Sequence, residues 1–148
     1  MFAKYLYRIF IVYLLGGIWM KNDPIAKVLD ELLKFEDIYA CMVGRRGMID
    51  SVMPSDGTDS FKPEVYEIWD IVKRVMDAQL EIISQFPGNG ELTHRVMDYE
   101  VLFYVFPDTD NALVAIVPGL ANNGLIAVHM ENARRKIQDI RSKEENIL

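Results

Sequence analysis

The segment Glu100–Leu120, EVLFYVFPDTDNALVAIVPGL, decides how this chain folds. It contains two apolar runs, Val101–Phe106 and Ala112–Val117, which are separated by the turn-forming residues PDTDN. Both runs are rich in β-branched and aromatic residues and have the length of strands. Neither run alternates between apolar and polar side chains, so both faces of these strands should be covered. The segment therefore predicts an antiparallel hairpin at the centre of a sheet, with helices on both sides.

The composition is typical of a globular protein. The chain has 148 residues, of which 51% are hydrophobic and 26% are charged, and a chain of this size can bury the core of one domain without disulfides. The net charge of −6 argues against nucleic-acid binding, which depends on clustered lysine and arginine. The single cysteine, Cys41, excludes an internal disulfide and a cysteine zinc cluster. These features predict a cytoplasmic protein that binds no nucleic acid.

The first 21 residues differ from the rest of the chain. Ile9–Met20 carries no charge and follows Lys4 and Arg8, a pattern typical of a segment that contacts a membrane. The stretch is short for a membrane span, and no small-residue cleavage motif ends it. Three explanations remain open: an anchor on the cytoplasmic side of a membrane, a start site assigned too early so that Met20 is the first residue, or an export signal. We expect residues 22–148 to form the folded domain in each case.

Helices and strands follow a regular order along the rest of the chain. Asp23 is predicted to cap a first helix that has Pro24 in its first turn. A long second helix is predicted from Pro63 to about Phe86, and a last helix after the loop ANNG at 121–124. The predicted strands are Ile38–Val43, Met48–Met53, Glu91–Asp98 and the two runs of the hairpin. The resulting fold class is α+β, with one five-stranded antiparallel sheet in the element order αββαβββα.

The second helix and the strand after it are predicted to form an interface with a second protein. The helix has more apolar positions than a single buried face requires, and the strand is polar enough to lie at a sheet edge. Surplus apolar surface and an open strand edge are both stabilised when a second protein covers them. The residues assigned to this interface are Val65, Ile68, Trp69, Val72, Val75, Met76, Leu80, Leu92, His94 and Val96.

Five segments carry a recognisable pattern, together with the opening helix that ends just before the first of them. They are Ala40–Gly44, Arg46–Ile49, Gly90–Leu92, Ala112–Pro118 and Ala121–Ile126. With the order of elements, this pattern resembles the roadblock/LC7 family over residues 23–141. Two features depart from the family pattern, namely the long second helix with the loop before it and the apolar first residues.

The resemblance implies an architecture and a function. The first and last helices are expected on one face of the sheet, and the middle helix on the other. Family members dimerise by pairing their third strands across a two-fold axis and packing their second helices together, so a homodimer or a paralogous heterodimer is implied. Because family members are non-catalytic scaffolds or regulators of small Ras-like GTPases, a GTPase partner is implied as well.

No residue pattern predicts catalysis, a metal or a cofactor. His94 and His129 lack the spacing of a metal site, and no base is identifiable for Cys41. Neither of the glycine motifs that bind phosphates occurs in the sequence. The alternative to a dimeric regulator is a profilin-like or PAS-like domain that senses a small ligand between sheet and helix and is tethered to a membrane by its first residues.

Overall fold

A computed structural model describes residues 23–54, 61–85 and 90–147. The apolar leader, residues 1–21, lies outside the described residues, and so do the alternatives predicted for it. The element order αββαβββα is confirmed. The elements are α1 (Pro24–Leu33), β1 (Ala40–Arg45), β2 (Met48–Met53), α2 (Pro63–Gln85), β3 (Gly90–Val96), β4 (Tyr99–Val105), β5 (Asn111–Pro118) and α3 (Asn123–Ile147).

The five strands form one antiparallel sheet in the order β2-β1-β5-β4-β3. The predicted hairpin is β4 and β5, with Leu102 opposite Ala115, and β5 is the middle strand of the sheet. Every residue of Val101–Phe106 and Ala112–Val117 is buried. This confirms that both faces of the hairpin are covered, and it leaves β2 and β3 as the two edge strands.

The two faces of the sheet carry separate cores. Along β4, Leu102 and Tyr104 point towards α1 and α3, whereas Val101 and Phe103 point towards α2. This alternation follows from the period of two along a strand. The first and last helices therefore cover one face and the middle helix covers the other, as expected. None of the helices in the described part of the chain is long and apolar enough to cross a membrane.

The first helix begins where the sequence predicted. The Asp23 carboxylate accepts a hydrogen bond from the Ile25 backbone N–H at 3.0 Å, and Pro24 occupies the first turn. The amide oxygen of Asn122 has the same function for α3, where it accepts from the Leu125 N–H at 3.1 Å. Each cap satisfies one backbone donor that the first helical turn leaves unpaired.

Only Met48–Met53 has the predicted bounds of a strand, and the ends of the other four strands differ by one or two residues. β1 continues through Gly44 to Arg45. A bulge between Val43 and Gly44 shifts the register of β1 relative to β2, and the two strands remain paired beyond it. β3 ends at Val96 rather than at the predicted Asp98. Met97 has a φ of 57° there, which turns the chain into β4 after only two connecting residues.

Candidate functional site

Six of the ten residues assigned to the dimer interface are buried inside their own chain. Each of them is 5% exposed or less and belongs to the core between α2 and the sheet. They contribute no contact area to a partner unless α2 leaves its own sheet. The assignment of these six residues to a dimer interface stays a prediction, because apolar period alone does not separate the buried stripe of a helix from its surplus. The six residues are Val65, Ile68, Val72, Met76, Leu80 and Val96.

The other four assigned residues keep some exposure. Trp69 is partly buried, and its ring stands edge-on to Phe61 with the centroids 5.0 Å apart, so its own chain supplies a neighbour. Val75 is also partly buried. Leu92 is 39% exposed, and His94 is exposed on the same strand. These residues lie along two elements, α2 and the edge strand β3.

An apolar stripe on α2 includes two residues that the sequence-based set left out. Ile71 and Ile82 are 46% and 52% exposed. Together with Val75, which lies four residues after Ile71 and seven before Ile82, they share one side of the helix. Gln79, which lies one turn after Val75 and is buried, hydrogen-bonds to His94 of β3. This side of α2 therefore faces the open edge of the sheet.

The bond between Gln79 and His94 connects the helix to the edge strand. Gln79 is 6% exposed, and its Oε1 lies 2.5 Å from His94 Nε2. A carbonyl oxygen only accepts, so Nε2 carries the proton and donates it. The His94 ring also stands edge-on to Phe103, with the centroids 5.9 Å apart. The side-chain amide of the buried Gln79 thus has a hydrogen-bond partner on β3, the edge strand of the sheet.

The opposite side of α2 faces β1. Arg46, in the turn after β1, forms an ion pair with Glu81 at 2.5 Å. A Cβ atom built on Gly44 would lie 3.2 Å from Leu80 Cδ1 and 3.6 Å from Met76 Cε. The two sides of α2 therefore have different neighbours. One side packs against β1, and the other lies beside β3.

The outer edge of β3 is open. Within the described residues no strand lies beyond β3, and all of its residues except Val96 are exposed. Because the turn to β4 has two residues, Val96 and Tyr99 form a hydrogen-bonded pair, and the bonding direction alternates from there along the strand. The N–H and C=O groups of Glu91, Thr93 and Arg95 consequently point away from β4. We call the stripe Ile71, Val75 and Ile82, with Leu92 and the open edge of β3, the α2–β3 surface.

Two titratable side chains away from the α2–β3 surface, Cys41 and His129, each contact a neighbour in their own chain. Cys41 is fully buried, and its thiol donates to the Leu29 carbonyl at 3.2 Å. Burial, with a smaller effect from Asp30, raises the pKa of this thiol from 9.0 to about 12. His129 stacks on Phe35 with the ring centroids 3.4 Å apart. Among the described residues, no three histidine, cysteine or acidic side chains lie close enough together to hold a metal ion.

A cavity of about 250 Å³ lies at the end of α1, beside the residues that lead into β1. The two faces of the sheet are instead filled by the two cores. A ligand-sensing domain requires a pocket between sheet and helix, and this cavity lies in a different place. Its lining residues are Leu33, Phe35, Glu36, Ile38, Tyr39, Pro54 and Lys62.

Comparison with known proteins identifies the fold through structure only. No family model matches the sequence, and no curated protein does. Among solved structures, Myxococcus xanthus MglB is 14% identical with a TM-score of 0.59, over 82% of this chain and 98% of that one. A roadblock/LC7 domain from Streptomyces avermitilis is 8% identical with a TM-score of 0.55, over 79% and 97%. An MglB with a tetrameric arrangement is 16% identical with a TM-score of 0.54, over 80% and 88%.

Proposed function

We propose that this chain, whose fold is that of roadblock/LC7 domains, acts as a non-catalytic dimeric scaffold or regulator. The observation that carries the proposal is the α2–β3 surface, where an apolar helix flank lies beside an unpaired strand edge. A second chain of the same fold that adds its β3 to this strand also brings its own α2 next to the α2 of this chain. One partner therefore covers both features at once, which a partner that touches only the helix or only the strand does not do.

The size of the apolar flank indicates that strand pairing must contribute to association. Ile71, Ile82 and Leu92 are each about half exposed. In a two-fold dimer these three side chains occur twice, and burying them contributes roughly 6 kcal/mol in total. Association costs about 4–15 kcal/mol in lost translational and rotational freedom. The hydrophobic contribution alone lies near the low end of that cost, so backbone hydrogen bonds along β3 are needed for a stable dimer.

The proposed partner of the dimer is a small Ras-like GTPase. This part of the proposal is supported by the family resemblance of the sequence and by the shared fold. A paralogous chain in place of the second copy is the alternative form of the dimer. A cytoplasmic location, with membrane contact through residues 1–20 where these are translated, belongs to the same proposal.

Sedimentation analysis of matched variants tests the dimer. Ile82→Glu places a charge on the apolar stripe and is expected to give monomers at micromolar concentration, where the unchanged protein is a dimer. Tyr66→Glu is the control, because Tyr66 is 58% exposed on the same helix but lies outside the stripe. This variant is expected to stay dimeric, and circular dichroism establishes that both variants fold. A monomeric unchanged protein, or equal effects of the two variants, would contradict the proposal.

Binding measurements test the GTPase partner separately. The probe is the small Ras-like GTPase encoded nearest to the gene for this chain, loaded either with GDP or with a non-hydrolysable GTP analogue. We expect interferometry to detect binding of one nucleotide form more strongly than the other. Absence of binding in both forms at high micromolar concentration would reject the GTPase partner and leave the dimer proposal standing.

A further inference from the structure

We infer that the cavity at the end of α1 binds a small zwitterion with an apolar body, namely a free amino acid with an aliphatic or aromatic side chain. The inference goes beyond the proposed function and does not rest on it, because none of the lining residues belongs to the α2–β3 surface. Three properties of the cavity carry it: its fixed apolar walls, its two charged side chains and the two helix ends that meet there.

The walls of the cavity are held in place from both faces of the sheet. Ile38 is buried in the core under α1 and α3, and its backbone N–H donates to the Phe35 carbonyl at 3.0 Å. Tyr39 packs against the core under α2, and its N–H donates to the Ile116 carbonyl of β5 at 2.9 Å. The Phe35 ring stacks on His129 of α3. Because these walls are already ordered, binding a ligand there costs little conformational entropy.

The size of the cavity fits a small metabolite. Its volume of about 250 Å³ lies below the roughly 300–1,000 Å³ of sites for drug-sized ligands. The same volume is the share of roughly eight water molecules in the liquid. Free leucine and free phenylalanine contain about nine and about twelve non-hydrogen atoms, so one such molecule has the right size.

Two side chains of opposite charge, Lys62 and Glu36, line the cavity. Both are exposed, and neither forms an ion pair with another residue that the structure describes. The Lys62 ammonium lies 4.0 Å from the centre of the Tyr39 ring, a contact that holds it at the wall without neutralising its charge. A ligand carboxylate complements Lys62, and a ligand ammonium complements Glu36. The aliphatic and aromatic lining residues are left to contact the apolar body of the ligand.

The ends of two helices have the same polarity as these side chains. Leu33, the last residue of α1, lines the cavity, and the carbonyl groups at this end of a helix carry partial negative charge. Lys62 directly precedes α2, and its carbonyl accepts from the N–H groups of Val65 and Tyr66 at 2.9 and 3.0 Å. The end of α2 with partial positive charge therefore begins beside the cavity. A cation is favoured on the side of Glu36 and an anion on the side of Lys62, which together favour a zwitterion.

Calorimetric titration of the full chain with matched probes tests the charges of the ligand. L-leucine carries both charges, isocaproate lacks the ammonium and isoamylamine lacks the carboxylate, whereas all three have the same branched apolar chain. We expect L-leucine to bind about tenfold more tightly than either of the others, because each of them loses one charge-assisted contact. L-aspartate, which has no apolar body, is expected not to bind.

Two results of this titration would overturn the inference. One is that isocaproate, isoamylamine or L-aspartate binds as tightly as L-leucine. The other is that neither L-leucine nor L-phenylalanine binds at millimolar concentration. The measurement does not depend on the oligomeric state of the chain, so either result leaves the dimer proposal standing.

Variants of the two charged residues locate the site. Lys62→Met and Glu36→Gln are each expected to weaken the binding of L-leucine about tenfold. Glu36→Gln is also expected to remove the preference for L-leucine over isocaproate, and Lys62→Met the preference over isoamylamine. Lys73→Met and Asp77→Asn are the matched controls, because both residues are exposed on α2 and neither lines the cavity. Unchanged binding in Lys62→Met and Glu36→Gln, or equal losses in the controls, would place the ligand elsewhere and overturn the inference.

Discussion

His94 on β3 donates a hydrogen bond from Nε2 to Oε1 of Gln79 on α2, over 2.5 Å and 15 positions of sequence. The bond joins the two elements of the α2–β3 surface directly. Because Gln79 is 6% exposed, the bond also supplies the partner for an amide that water barely reaches. The position of the helix relative to the edge strand therefore depends on this pair.

Replacing Gln79 tests the contribution of this bond. Gln79→Ala removes the bond and opens a small gap under α2, so the free energy of unfolding is expected to fall by about 1–2 kcal/mol. Gln85→Ala is the control, because Gln85 is an exposed glutamine of the same helix that bonds to Glu81 one turn earlier. Its effect is expected to stay below about 0.5 kcal/mol. Urea titration measures both, and equal losses would mean that the bond to His94 is not what matters.

Two glycines are expected to respond in opposite directions to added side-chain atoms. A Cβ on Gly44 would lie 3.2 Å from Leu80 Cδ1, and the larger side chain of Gly44→Val would force apart α2 and β1, at a cost of about 1–3 kcal/mol. Gly124 lies exposed in the first turn of α3, where a Cβ would only reach ordinary contact with Asn122 at 3.6 Å. Gly124→Ala is therefore expected to raise the stability by up to about 1 kcal/mol. Thermal unfolding measures both signs, and a stable Gly44→Val variant would show that α2 is not closely packed there.

The Cys41 thiol is expected to be inert in the folded protein. Its pKa of about 12 leaves almost no thiolate near neutral pH, and the side chain is fully buried. Alkylation by iodoacetamide at pH 8 should be at least about a hundredfold slower in the native protein than in urea, since it requires opening of the structure. The sign of the pH effect follows from the raised pKa: the stabilisation is complete below 9.0, the usual value, and is lost as the pH rises through about 12. Fast labelling of the native protein would contradict this placement of Cys41.

Glu131 is expected to contribute to stability above mildly acidic pH. Arg134 bonds to both oxygens of its carboxylate, at 2.5 and 3.0 Å, and also donates to the Val105 carbonyl at 2.9 Å. The hydrogen bond from Arg134 is the main cause that holds the pKa of Glu131 below the usual 4.5. A lowered pKa means that this stabilisation is present above pH 4.5 and is lost as the pH falls through the folded-state pKa.

Urea titrations at several pH values test this linkage. The free energy of unfolding of the unchanged protein is expected to fall more steeply below pH 4.5 than that of Glu131→Gln, which has no proton to take up. Asp139→Asn on the same helix is the control, because Asp139 is exposed. Parallel curves for the unchanged protein and Glu131→Gln would show that the pair with Arg134 does not stabilise the fold.

The amphipathic pattern of α2 shows where inference from sequence ends. The pattern identifies which residues are apolar and which share a side of the helix, but it does not state which side meets the sheet of the same chain. Residues such as Val72 and Met76 were assigned to an external surface, and the structure buries them. Ile71 and Ile82 were omitted, and the structure exposes them. What separates the buried residues from the exposed ones is which part of the sheet each side of the helix packs against. That depends on residues far away in the sequence.

By itself, the sequence determined the features that arise from near neighbours along the chain. They are the element order, the buried hairpin of β4 and β5, the Asp23 cap of α1 and the edge character of β3, all of which depend on residue type and period within a few positions. Only the tertiary structure decided which flank of α2 borders β3. That depends on the strand order and on contacts such as Gln79 with His94, which join residues distant in sequence. The amphipathic pattern of a helix shows which side chains share a side of that helix. Packing against the sheet determines which of those sides is buried and which borders an edge strand.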